Sequence, residues 1–344
     1  MTEEEKQLFN SLKEKEEKSK FNYEDPDVDN VNIPDWIPDE VDNRSVKNTN
    51  QDEQKKPNLG KVEISNPIGM ESGWKNLPID ILPSGGFGYP EGFELGIRAA
   101  EVSEIRHYST IDESDRIDLD DKLNHILDKC MRIKWSQGPL STLDLWYEDR
   151  FFVIMSIRDM TFIKGENNIL LPLDKNCKGD KCNLPDNIEL KSNFLDSFKL
   201  DQEIRKRYNK ESYSFEFIPK DGSPKLNLYI PTIGVTCKAR KIIDKKKLAG
   251  KKYDPSFMEV ASFVIPDWRN LNERTYDEYE RMSKDWTNLQ FSIADQMSKR
   301  INFSTKSRIF TKCESCGGEA AAEIRFPEGY RSLFVISDLS GKLL

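Results

Sequence analysis

Four cysteines stand in two short runs, Cys177-Lys-Gly-Asp-Lys-Cys182 and Cys313-Glu-Ser-Cys316, the second followed by Gly317-Gly318. A structural zinc ion takes four thiolates at tetrahedral corners, at about 2.3 Å, and usually draws them in pairs from short turns of this kind. Each run lies between strand-like segments, as in a zinc ribbon. The 130 residues between Cys182 and Cys313 would then be an insertion within the ribbon. Long insertions add little loop-closure entropy. The expectation is one structural zinc site formed by Cys177, Cys182, Cys313 and Cys316. The first pair is separated by four residues rather than the usual two. Two other readings stay open: knuckles that have lost the metal, and a redox pair at Cys313 and Cys316. A redox pair normally opens a helix after a strand, and Gly317-Gly318 does not favour one. Cys130 lies on an apolar helical stripe and reads as packing. Cys237 reads the same way, with replacement ligand as its alternative.

Other chemistry is poorly supplied. His107 and His125 are the two histidines, and neither adjoins a nucleophile motif. Pro83-Ser84-Gly85-Gly86-Phe87-Gly88 is glycine-rich but matches neither a phosphate loop nor a dinucleotide fingerprint. Four thiolates would fill the coordination sphere of a zinc ion and leave no catalytic position. The sequence therefore points away from an enzyme and from a small-molecule substrate. An enzyme would need polar groups converging in a pocket.

The chain has 344 residues, with 37% hydrophobic and 33% charged, and a net charge of −8. Residues 1–58 carry 16 acidic and 9 basic side chains, and the remainder 44 and 43. The body is thus near neutral and lacks the basic surplus of a nucleic-acid binder. Its Lys/Arg run at 238–252 reads as a solvated loop. No apolar run reaches the roughly 20 residues of a membrane span, and the N-terminus has no apolar signal core. Soluble protein of a reducing compartment is the expectation.

The elements that must position these residues follow from periodicity. Residues 1–65 are expected to be a disordered acidic arm, too polar to offset its ordering entropy. Trp36 and Ile37 would be its anchors on a partner. Phe93, Leu95 and Ile97 alternate as one face of a strand, and a helix follows at Ala100–Ser109. Leu119, Leu123, Ile126, Cys130 and Ile133 recur at helical spacing and predict a helix over 118–135. A second, strongly apolar helix is predicted over 141–162. Strands follow around 169–190, 213–219 and 225–234, then one or two helices over 272–300, then a closing hairpin around Cys313. The fold class is α+β. The expected division is an arm at 1–65, an α/β body at 66–165, and a split ribbon lobe at 166–344 with its insertion at about 183–305.

Leu82, Pro83, Ser84, Gly86, Tyr89, Pro90 and Arg98 stand in an order that resembles the opening of the baseplate hub assembly proteins of T-even-type bacteriophages. The two predicted helices continue the likeness, with Arg158 and Thr161-Phe162 falling where such proteins carry an Arg and a Thr-aromatic pair. The knuckle at Cys313 resembles one that many relatives carry near the C-terminus. The likeness spans about residues 78–335. It implies a non-enzymatic structural or assembly protein with other hub and tail proteins as partners. It also implies residence in the host cytoplasm during assembly or in the tail baseplate of the virion. The competing reading is a zinc-ribbon nucleic-acid-binding protein using the lysine run.

Overall fold

The computed structural model describes residues 73–135, 140–163, 168–175, 182–326 and 329–335. All fall within one compact unit, 59–344. The fold is α+β. Trp36, Ile37, Cys177 and the 1–65 arm lie outside the described residues.

The first sheet is antiparallel and three-stranded, β1 (Lys75–Leu77), β2 (Glu94–Ile97), β3 (Met131–Lys134), in that order. Leu95 and Ile97 of β2 are buried, as the alternation requires, and Phe93 beside them is too. Helix α1 (Val102–Ser109) starts on a reciprocal cap between Glu101 and Glu104. Helix α2 (Arg116–Cys130) is capped by Asp115, whose carboxylate accepts the Ile117 N–H. Leu123, Ile126 and Cys130 face the core.

Two expected boundaries shift. The helix expected over 118–135 stops at Cys130, and Met131–Lys134 turn into β3, with Ile133 paired opposite Leu95. Helical and strand spacing coincide over so short an apolar run, and the free edge of β2 decides between them. The helix expected over 141–162 begins only at Arg150. Before it, residues 142–144 and 147–149 form two 3-10 turns, the first held by a reciprocal cap between Ser141 and Asp144. Helix α3 (Arg150–Thr161) is buried from Phe152 to Arg158 and forms the spine of the core.

Strands β4 (Leu170–Pro172) and β6 (Asn187–Glu189) pair with each other. β5 (Asp174–Lys175) instead joins a closing hairpin. The insertion contains the short helix α4 (Gln202–Lys206), then the sheet β7 (Tyr208–Asn209), β8 (Ser214–Phe217), β9 (Leu226–Tyr229). Helices α5 (Ile233–Leu248), α6 (Pro255–Val264), α7 (Glu273–Lys284) and α8 (Asn288–Arg300) follow. The basic run is therefore mostly helix α5 rather than a loop; Thr232 caps it and buried Ile233, Cys237 and Ile243 anchor one face. β10 (Arg308–Lys312) and β11 (Glu319–Glu323) close the chain's last sheet.

One apolar core runs across residue 165. It joins Leu95, Ile126 and Ile157 of the body to Leu171 and Leu190, to Ile233 and Cys237 of α5, and to Ile309, Ala322 and Phe334. Body and ribbon lobe are thus packed as one unit. No helix among the described residues is long and apolar enough to cross a membrane.

Candidate functional site

The sheet built on the second cysteine run has the order β10-β11-β5. Lys175 lies opposite Ala320, and Asp174 opposite Ala321. The strand that leads into the first cysteine run therefore pairs with the strand that leaves the second. Two segments far apart in sequence arrive at one sheet end, as the ribbon reading requires.

The turn that carries Cys313 and Cys316 is set by backbone hydrogen bonds. Cys313 N–H donates to Gly318 O and Gly317 N–H to Cys313 O, both at 2.8 Å. Gly317 sits at φ +69°, the left-handed region where a Cβ is strained. Cys313 is buried and Cys316 exposed. Cys313 Sγ lies 3.1 Å from Asn183 Oδ1, which ties the residue after Cys182 to the second run. The Asn183 backbone N–H, with those of Cys316 and Ser315, pulls the Cys313 thiol down to about 6, against the opposing effect of burial. A thiol lowered in this way gives up its proton more readily, as a metal ligand must. Cys182, half-buried, is not gathered with them. Among the described residues no three His, Cys, Asp or Glu side chains are grouped closely enough to hold a metal ion. Cys177 lies outside those residues. A lowered Cys313 thiol and the pairing of β5 with β11 are two features a zinc thiolate site would need; the other three cysteines are not brought to Cys313 as a ligand set among the described residues.

Cys130 and Cys237 are both buried, and burial pushes both thiols up, Cys130 to about 12. They pack, as their positions on apolar helix faces indicate. His107 and His125, from α1 and α2, bring their rings to 4.0 Å, a pairing that separate helices hide from sequence reading.

The glycine-rich stretch after β1 is held by a single buried carboxylate. Asp149 accepts the Ser84 N–H at 2.8 Å, the Ser84 hydroxyl at 2.7 Å and the Tyr89 hydroxyl at 2.8 Å. The same Tyr89 oxygen accepts the Trp146 N–H at 2.9 Å, and the Tyr89 ring stacks between Phe93 and Trp146. Burial raises Asp149 to about 6 even though all three donors lower it. Thr161 at the end of α3 accepts the Ala100 N–H at 2.9 Å. Arg98 forks onto Glu104, and Arg158 lies over the Phe162 ring. The polar positions that carry the phage resemblance thus clamp β2, α1 and α3 together. They position the body.

One residue on, the polarity reverses. Arg150 is 5% exposed and donates to Asp120 Oδ1 at 2.6 Å and to Asp120 O at 2.8 Å. Arg240 from α5 donates to the other oxygen of Asp120 and lies 3.4 Å from the Tyr147 hydroxyl. These groups line a cavity of about 300 Å³ between α2, α3, α5 and the 330–333 turn. Polar groups do converge here, and the sequence singled out none of them. They come from three helices and carry no shared spacing.

No family model, no curated protein and no solved structure matches this chain.

Proposed function

We propose that the chain is a non-enzymatic assembly protein of a contractile-tail phage baseplate hub, acting through contacts with other hub and tail proteins. It would act in the host cytoplasm during assembly or within the tail baseplate. The observation that carries this reading is the clamp around Asp149. Ser84 and Tyr89, two positions of the resembling motif, meet on one carboxylate, and Thr161, from the far end of the motif, closes on Ala100. Residues that are short matches in the sequence are thus fastened at the two ends of α3. The test is co-expression with the hub proteins of a T-even-type baseplate and size-exclusion chromatography. Co-elution with at least one hub protein is expected; separate elution in every combination would overturn the reading.

In this reading the arm docks through Trp36 and Ile37. Deleting residues 1–65 is expected to weaken the complex by at least about tenfold, and an undiminished complex would remove the docking role. Cys177, Cys182, Cys313 and Cys316 would hold a structural zinc ion that fixes the ends of the insertion. Elemental analysis should find one zinc per chain, lost in both Cys177→Ser and Cys313→Ser; metal-free wild type would end the zinc assignment.

The nucleic-acid alternative loses ground on α5. Lys241 pairs with Asp121, Lys246 with Asp277 and Glu280, Lys251 with Glu273, and Arg240 with Asp120. Cations already matched to acids release few counterions on meeting a phosphate backbone.

A further inference from the structure

The cavity beside Asp120 is left electrically unfinished. Two guanidinium groups, Arg150 and Arg240, share the one carboxylate of Asp120. Both stand about 5.8 Å from the centre of the Tyr147 ring. Arg116, at the first turn of α2, adds a third cation at the rim, and it is exposed. Buried charge in excess of its counter-charge is costly, and the cost falls when an anion enters. Two donors and acceptors repeat the point. Arg150 Nε and Thr305 Oγ1 are buried and have no hydrogen-bond partner. Unsatisfied buried polar atoms are rare in folded proteins and mark either a water or a missing partner. The rest of the wall combines hydrocarbon from Leu119, Leu123, Phe151, Ile154 and Leu333 with the polar groups of Glu148, Ser304 and Tyr330.

We infer that this cavity is a binding site for a carboxylate carrying an apolar group. The planar forks of Arg150 and Arg240 suit a carboxylate. Three arginines face the two carboxyls of Asp120 and Glu148, an excess of about one charge, which suits a monoanion better than a phosphate dianion. The apolar wall takes a hydrocarbon side chain. At about 300 Å³ the cavity is at the small end of ligand sites, so it admits one such group. Two sources supply this chemistry: a free carboxylic acid, and the C-terminal carboxylate of a polypeptide ending in an apolar residue. The site is independent of the assembly reading above.

The experiment is calorimetric titration of the full-length protein with four probes: 3-phenylpropanoate, its amide, N-acetyl-Leu-Phe and N-acetyl-Leu-Phe-amide. Each is repeated on Arg116→Glu and Arg240→Met. Arg116→Glu lies at an exposed helix N-terminus, where an acid is favoured, so its fold is retained. At least one acid should bind, its amide should not, and each variant should weaken binding about tenfold or more. Binding by the peptide acid alone assigns the polypeptide source; binding by phenylpropanoate assigns the free-acid source. Acids and amides binding alike, neither acid binding at millimolar concentration, or Arg116→Glu binding as wild type would overturn the site. If Arg240→Met unfolds, as its thermal transition would reveal, Arg116→Glu decides alone.

Discussion

Asp149 and Arg150 are neighbours in the chain and both are buried, yet they are treated in opposite ways. Asp149 receives three donors from a glycine-rich loop 60 to 65 residues earlier in the sequence. Arg150 shares one acid with a second arginine and keeps a nitrogen unpaired. A polar group that is fully met rigidifies its surroundings; one met in part costs stability and leaves room for a partner. The first kind of site builds the body. The second kind is where something can bind.

Substitutions can break or sharpen that contrast. The largest effect is expected for Asp149→Ala, which strands the Ser84 N–H and both hydroxyls. It should cost about 3–5 kcal/mol in urea unfolding. Arg150→Met leaves Asp120 paired with Arg240 and should cost only about 1–2 kcal/mol. Equal losses for the two would dissolve the distinction.

Glu148, beside them, sharpens it through pH. Burial first, then the charge of Asp149, raises Glu148 to about 7. A carboxylate raised in the fold favours the neutral form, so its contribution is intact below the ordinary value of 4.5 and is lost progressively as pH climbs to about 7. Glu148→Gln should therefore match wild type near pH 4 and exceed it by about 1–3 kcal/mol at pH 8. Parallel stability curves would mean that Glu148 is solvated. The smallest effect belongs to the knuckle. Gly317→Ala, at φ +69°, should cost about 1 kcal/mol in thermal unfolding. A neutral outcome would show that the turn relaxes freely.

The α+β class, the strand at Phe93–Ile97 and the closing hairpin were legible because their apolar residues alternate or recur at helical spacing. That the strand before the first cysteine run and the strand after the second belong to one sheet was legible too, from turn chemistry and flanking strands. The end of α2 was not, because Met131–Lys134 satisfies both periods and only the waiting edge of β2 chooses. The lysine run looked like a loop because charge dominates it; its acidic partners come from α2 and α7. The Arg150–Asp120–Arg240 cluster left no trace in the sequence. Its members are single charged residues on separate helices, and only packing brings them together.

The pairing of Lys175 with Ala320 has a consequence during synthesis. β5 leaves the ribosome long before its partner exists, by on the order of 10 s at ordinary elongation rates. Through that interval the strand has an open edge and the first cysteine run has no counterpart. The sheet is completed only when β11 has emerged, so an unfinished chain cannot display the finished knuckle. Synthesis as far as β11 is thereby written into the geometry of that lobe.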